Sequence, residues 1–160
     1  MYGMSKKNIL FFSLYKINSI NDQGIYPDLL YQFKKNKFNI YILSPVERGE
    51  KIKNKLTSFE NVTIIQVRTL KTQKTNKVEK LFSSIFLEYI FIKAYNNELK
   101  KIEFDLVLFP TPVIFVNNFL KRIKLSKNGI KYLLLKDIFP QNAIDLNYLK
   151  SSSIITRFFR

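Results

Sequence analysis

The sequence predicts an α/β protein built on a Rossmann-like, doubly wound parallel sheet. Short, almost continuously apolar runs recur along the chain, which is typical of strands covered on both faces. Segments with apolar residues at helical spacing separate these runs, and such alternation favours a parallel sheet. The 160 residues are 46% hydrophobic and 24% charged, which fits one compact domain.

Three strands and one helix are predicted in the first half of the chain. The strands are Asn8–Ser13, Asn39–Leu43 and Val62–Val67. Gly24 precedes the helix, whose apolar residues recur at helical spacing until Lys34 and the lysines after it close the segment. Pro45 is expected to stop the second strand. A charged stretch follows and is interpreted as a connection.

A long helix from Val78 to Lys101 is predicted next, because this segment contains no internal glycine or proline. Steps of 100° place one apolar stripe on the side expected to face the sheet. Its members are Val78, Leu81, Phe82, Ile85, Tyr89 and Ile92. Leu87, Ile90 and Phe91 fall on the opposite side, where a soluble domain would normally place polar residues.

The remaining elements complete the alternation. Asp105–Phe109 is predicted as a strand and Val113–Arg122 as a helix. Lys131–Leu135 is the last strand, and Gly129 is expected to form the turn before it.

Composition excludes several kinds of chemistry. The chain contains neither cysteine nor histidine, which removes disulfides, thiolate or imidazole metal sites and Ser-His-Asp arrangements. No dinucleotide fingerprint or ordinary P-loop is present. No metal and no cofactor are therefore expected. No apolar run reaches the roughly 18 residues of a spanning helix, so a cytoplasmic protein is predicted, at most peripheral on the inner face of the membrane.

The charge balance is strongly positive, with 27 Lys and Arg against 12 Asp and Glu, a formal net charge of +15. Such an excess favours a polyanion, a phosphorylated ligand or an anionic membrane as partner. Compositional drift explains a lysine-rich chain equally well. A nucleic-acid-binding module is disfavoured because the lysines are scattered and no nucleic-acid-binding signature is present.

Candidate site residues follow from topology, because ligands bind beyond the carboxyl ends of parallel strands. Gly24 opens the first helix, where a backbone amide can approach a sugar or phosphate, although a turn explains it too. Thr111 stands between two prolines after the fourth strand, where a sharp strand-to-helix turn is the other interpretation. Lys74 is a candidate phosphate ligand in the loop after the third strand.

The stretch from Lys136 to Asn142 is the most informative, because it delivers a carboxylate and two amides beyond the last strand. Carboxylates and amides hold sugar hydroxyls, and a carboxylate also accepts their protons. Asp137 is the candidate catalytic residue, while Lys136 and Asn142 are candidate substrate ligands. The alternative is that Asp137 only caps the following turn.

From Asn8 to Arg160 the chain resembles the N-terminal half of family 4 glycosyltransferases of the two-Rossmann (GT-B) class, which assemble bacterial capsule, O-antigen and exopolysaccharide. The resemblance rests on Gly24-Ile-Tyr-Pro-Asp-Leu-Leu30, Leu43-Ser-Pro-Val-Glu-Arg48, Lys74-Thr-Asn76, Thr111-Pro112 and Leu133-Leu-Leu-Lys-Asp-Ile-Phe-Pro-Gln-Asn-Ala-Ile-Asp-Leu146. It implies that residues 1–150 form a Rossmann-like, acceptor-binding domain. Residues 151–160 would begin the segment toward a missing donor-binding domain.

The resemblance also implies a nucleotide-sugar donor, a retaining transfer and a chain that is inactive without its second domain. Gly24 would face the donor phosphates, and Asp137 and Asn142 would line the acceptor side. At position 147 the family pattern has glycine, whereas this chain has Asn147.

The acceptor implied by the resemblance is a saccharide, commonly carried on a polyprenyl pyrophosphate. Leu87, Ile90 and Phe91 with nearby lysines are then a candidate contact with an anionic membrane. The alternative, which is favoured, is that these side chains pack under the charged loop or against the missing domain. Half of a sugar-nucleotide epimerase with the same architecture is the rival enzyme.

Overall fold

The computed structural model describes residues 6–47, 55–69, 77–111, 116–135, 141–145, 147 and 152. For residues 47, 77–85, 142 and 143 the structure describes the backbone but not the side chain. The elements in chain order are β1 (Asn8–Phe12), α1 (Ile25–Lys35), β2 (Asn39–Glu47), β3 (Lys55–Phe59), β4 (Val62–Thr69), α2 (Lys77–Glu98), β5 (Phe104–Pro110), α3 (Asn117–Arg122), β6 (Leu125–Leu134) and α4 (Gln141–Asp145).

The strands form one sheet in the order β3-β4-β2-β1-β5-β6. Every neighbouring pair is parallel except β3 and β4, which are antiparallel. Chain order runs outward from β1 in both directions, except that the edge strand β3 lies outside β4, and this is the doubly wound arrangement. The predicted fold class is confirmed.

Helices cover both faces of this sheet. Successive residues of β1 point to opposite faces, so β1 contributes to the core on each side. Ile9 and Phe11 belong to the core cluster beneath α1. Leu10 and Phe12 belong to the cluster beneath α2 and α3. On that second face the Phe12 ring lies 5.2 Å from Phe119 and 6.0 Å from Phe91, centroid to centroid. The apolar run of β1 is explained by this two-sided burial.

β2 continues past the proline that was expected to stop it. Pro45 lies inside the strand in register with Val67 of β4. The pairing of β1 with β2 ends at Leu43, so among the described strands none flanks Pro45 on that side. A residue without an amide hydrogen is tolerated beside such an open edge. The prediction that Pro45 ends the strand is therefore wrong.

The charged connection after β2 contains a strand that the sequence pattern did not predict. All five residues of β3 are exposed, so the segment lacks the buried apolar run that marks the other strands. It pairs with β4 through its backbone, with Phe59 opposite Val62 and Lys55 opposite Gln66. An exposed edge strand needs no apolar pattern, which explains why it was missed.

Gly129 lies within β6 and not in a turn before it. The strand begins at Leu125, and an irregularity shifts its register so that Leu125 pairs with Phe104 and Ile130 with Leu106. A Cβ at Gly129 would stand 2.4 Å from the Phe104 carbonyl oxygen. Glycine is required here because the two backbones approach closely.

α2 presents a different face to the sheet from the one predicted. Phe91, Tyr95 and Leu99 are buried in the core, and Leu87 and Ile90 pack against it. Tyr89, predicted to face the sheet, is 60% exposed. The predicted core stripe is therefore wrong at Tyr89, although its member Ile92 packs against the core. Leu87, Ile90 and Phe91, which were placed on the side opposite the sheet, belong to or pack against the core. The side chains at positions 78, 81, 82 and 85 are not described. The helix predicted over Val113–Arg122 is observed as α3 from Asn117. Residues 113–115 of the predicted helix are outside the described residues.

Candidate functional site

The strand order reverses at β1, so the ligand crevice of this fold is expected beyond the carboxyl ends of β1 and β5. Thr111 directly follows β5 and is half-buried. Its backbone N–H donates to the Leu134 carbonyl oxygen at 3.4 Å. This contact ties the carboxyl ends of β5 and β6 together.

A buried polar network anchors the loop between β1 and α1 to the carboxyl ends of β2 and β4. The Ile17 N–H donates to Ser44 Oγ at 2.7 Å, and Ser44 Oγ donates to the Tyr15 carbonyl oxygen at 3.2 Å. Gln66 Nε2 donates to the Ile17 carbonyl oxygen at 3.0 Å and to Asn18 Oδ1 at 3.2 Å. Both polar side chains are buried, so these bonds satisfy groups that water cannot reach.

Sequence reasoning missed Ser44 and Gln66 as positioning residues. The signal was present, because each is a polar residue inside an otherwise apolar strand. A buried polar side chain needs partners. Here those partners are backbone groups and the Asn18 side chain of the loop that leads to Gly24.

Gly24 stands before the first turn of α1 with φ 149° and ψ 160°. This backbone conformation is essentially restricted to glycine. A Cβ there would have room, since the nearest atom is Pro27 Cδ at 3.5 Å. The glycine is therefore required by its backbone angle, and its contact with a ligand stays a prediction.

A groove lies between the N-terminal half of α1 and the carboxyl end of β6, and we call it the α1–β6 groove. It has a volume of about 410 Å³ and is lined by Ile25, Tyr26, Leu29, Tyr132, Leu133, Leu134 and Leu135. Gly24 immediately precedes one wall in sequence, and Lys136 and Asp137 immediately follow the other. The described walls supply apolar surface and two phenol groups, but no carboxylate.

The other predicted site residues cannot be placed against this groove. Lys74, Lys136 and Asp137 lie outside the described residues. Asn142 lies in α4, but its side chain is not described. Asn147 has φ 59°, the left-handed conformation that glycine adopts most readily and that asparagine tolerates.

Most described charges lie away from the crevice. The lysines that close α1 border a depression at the opposite edge of the sheet, together with Lys6, Glu60 and Asn61. At the same edge the hydrogen bond and the charge of Glu103 raise the pKa of Lys124. Among the described residues, no cluster of three or more carboxylates is arranged so that it could hold a metal ion. No helix among them is long and apolar enough to cross a membrane.

Solved structures of trehalose-6-phosphate synthase share this fold. The E. coli structure bound with UDP-2-fluoro glucose matches with a TM-score of 0.53 and 10% sequence identity, over 81% of this chain and 32% of that one. An apo structure of OtsA matches with a TM-score of 0.55 and 12% identity, over 91% and 36% of the two chains. This chain thus spans about a third of their length.

Sequence comparison adds no closer relationship, since no family model and no curated protein matches the chain. The low identities to the solved structures mean that the likeness concerns the fold. The chain has a mixed α/β fold shared with part of the GT-B glycosyltransferases.

Proposed function

We propose that the chain is the acceptor-binding domain of a glycosyltransferase that moves a sugar from a nucleotide-sugar donor to a saccharide acceptor. One observation carries the proposal: the strand order reverses at β1, which is where this fold is expected to bind ligands, and the fold is shared with a protein bound to a UDP-sugar analogue. The family resemblance of the crevice loops, above all Leu133–Leu146, supports the same function.

The finer parts of the proposal come from that resemblance alone. The product is a cell-surface polysaccharide assembled at the cytoplasmic side of the membrane, and the acceptor is carried on a polyprenyl pyrophosphate. Transfer retains the anomeric configuration and needs a second, donor-binding domain.

Each candidate residue has a role in this proposal. Asp137 accepts the proton of the acceptor hydroxyl, while Asn142 and Thr111 hold neighbouring hydroxyls. Lys74 and Lys136 neutralise phosphate charge, and Gly24 lets a backbone amide approach the donor phosphates. Ser44 and Gln66 position the loop that carries Gly24.

The decisive experiment assays the complete gene product with nucleotide sugars and saccharide acceptors, and compares Asp137→Asn with the parent. Because a positioned general base contributes about 10²- to 10⁴-fold, transfer should fall at least about 100-fold. Asp145→Asn is the matched control, since Asp145 lies nearby in sequence and is exposed, accepting a hydrogen bond from Gln141 Nε2 at 2.7 Å.

Two results would each overturn one part of the proposal, the first the role of Asp137 and the second the transferase activity. Near-normal turnover by a folded Asp137→Asn protein would remove Asp137 as the base. Conversion of a nucleotide sugar into its epimer without any acceptor would identify the rival enzyme class.

A further inference from the structure

A second cleft lies on the face of the sheet that α1 covers, rather than beyond the carboxyl ends of the strands, and we call it the β3 cleft. It has a volume of about 290 Å³, close to the roughly 300 Å³ at which small-ligand pockets begin. Val62 and Ile64 of β4 line it and are buried. Phe59 and Thr57 of β3 pair with these two residues and line the same cleft, because cross-strand partners share a face. One wall of the cleft is thus set by the register of the β3–β4 ladder.

The other wall of the β3 cleft is the loop between β1 and α1, which hydrogen bonds hold in place. The Ser19 N–H donates to Asp22 Oδ2 at 3.1 Å, and the Asn21 N–H donates to Ser19 Oγ at 3.0 Å. Asn18 Oδ1 accepts a hydrogen bond from the buried Gln66 Nε2 at 3.2 Å. The loop wall is therefore preformed as well.

Three polar side chains around the cleft retain hydrogen-bonding capacity for a ligand. Because Gln66 holds Asn18 Oδ1, the Asn18 Nδ2 group remains as a donor. Within the part of the chain that the structure describes, neither the Asn21 amide nor the Thr57 hydroxyl forms a side-chain hydrogen bond. Amides and hydroxyls together both donate and accept hydrogen bonds. A ligand that presents several hydroxyl groups matches this set.

An aromatic ring stands beside these polar groups. Phe59 is 66% exposed although it is the largest side chain of β3. The face of an aromatic ring carries partial negative charge, which attracts the polarised C–H groups on the flat face of a sugar ring. The exposed ring therefore offers a stacking surface of the kind that a sugar uses.

The charge of the cleft is balanced. Among the described residues that line it, Lys34 carries the only charge. Its Nζ forms an ion pair with Glu60 at 2.9 Å and lies 5.2 Å from the Phe59 ring centroid. A neutralised lysine gives little preference for a phosphate, and the polar rim disfavours an aliphatic ligand.

We propose that the β3 cleft binds one unit of a neutral saccharide. Phe59 stacks on the sugar ring, while Asn18, Asn21 and Thr57 hold its hydroxyls. This site goes beyond the proposed function, because it lies outside the crevice and its occupation requires neither a donor nor a transfer step.

The test titrates the complete gene product with maltotriose, mannotriose and chitotriose, and measures binding by saturation-transfer difference NMR. Phe59→Ala removes the stacking ring, and Thr57→Val removes the hydroxyl with little change of shape. Leu56→Ala is the matched control, since Leu56 is 52% exposed on the same strand but pairs with Ile65 and so lies on the opposite face. Thermal melts by circular dichroism check that each variant folds.

At least one trisaccharide should bind the parent. Phe59→Ala should weaken that binding at least about fivefold and Thr57→Val about threefold, while Leu56→Ala stays within about twofold of the parent. Phe59→Tyr keeps the ring and should retain binding. Should Phe59→Ala fail to fold, Thr57→Val carries the comparison with Leu56→Ala.

Four results would overturn the proposal. They are no binding of any trisaccharide, equal losses in Phe59→Ala and Leu56→Ala, displacement of the saccharide by inorganic phosphate, and binding that none of the β3 variants changes. The last result would leave the proposed function standing, because the saccharide would then bind elsewhere, as in the crevice.

Discussion

Gly24 and Gly129 are both required by the backbone, but for different physical reasons. At Gly24 the reason is the dihedral angle, because φ is 149° while a Cβ would make only an ordinary contact. At Gly129 the reason is space, because a Cβ would stand 2.4 Å from a backbone carbonyl oxygen. One residue thus fixes the start of α1 beside the crevice, and the other lets β6 join the sheet.

We expect Gly24→Ala to lower the free energy of unfolding by about 1–3 kcal/mol, because alanine is strained at this backbone angle. The measurement is urea denaturation, with Gln23→Ala as the control in the same loop. The exposed Gln23 side chain should contribute less than about 0.5 kcal/mol. Equal stability of Gly24→Ala and the parent would show that this backbone angle is not kept in solution.

At the scale of elements, α2 shows how an apolar helix misleads sequence reasoning. Its described apolar residues lie on more than one side, so periodicity alone did not identify the buried face. Contacts with α3 and the sheet decide it: Phe91 and Tyr95 both pack on Phe119, and Tyr95 Oη accepts the Lys124 N–H at 2.8 Å. Glu88 Oε1 also accepts a hydrogen bond from the Phe119 N–H at 3.0 Å.

The two faces of α2 predict very different mutational effects. Phe91→Ala should cost about 3–5 kcal/mol, because it opens a cavity in the core. Tyr89→Ala, on the 60% exposed side chain, should cost less than about 1 kcal/mol even though it loses a stacked contact with Phe86. Chemical denaturation of both variants checks this order, and a reversed order would restore the face that periodicity selected.

For the whole molecule, the main electrostatic feature is a basic edge of the sheet that lies opposite the edge where ligands are expected. We call it the amino edge, because the strand amino ends and the helix carboxyl ends meet there, and Lys37, Lys101 and Lys121 lie on it. Cations are favoured at the carboxyl end of each helix because they complement the helix dipole, and the parallel topology brings these helix ends together at one edge of the sheet. Repulsion among like charges opposes the compact state, and salt screens it.

We therefore expect added sodium chloride to raise the thermal midpoint of unfolding. The amino-edge variant Lys37→Gln/Lys101→Gln/Lys121→Gln should gain less from salt than the parent, because part of the repulsion is already removed. Differential scanning calorimetry over a range of ionic strength measures both effects. A midpoint that falls with salt would mean that ion pairs such as Lys34–Glu60 outweigh the repulsion.

Much of the architecture was predictable because burial leaves a local pattern. β1, β4, β5 and α1 were found close to their observed bounds, since each carries the apolar run or spacing that its environment demands. The exposed β3 carries no such pattern. At the site, Gly24 precedes α1 and Thr111 follows β5, as predicted. The roles proposed for Gly24, Thr111, Lys74, Lys136, Asp137 and Asn142 stay predictions.

The sequence by itself determined the fold class, the identity of the central strands and the edge of the sheet where ligands are expected. These depend on apolar periodicity and on the geometry of parallel strands, which are local or general properties. Only the tertiary structure decided the buried face of α2, the continuation of β2 through Pro45, the place of Gly129 in β6 and the roles of Ser44 and Gln66. Each of these depends on contacts with residues that are distant in the chain. The residues adjacent in sequence do not reveal those contacts.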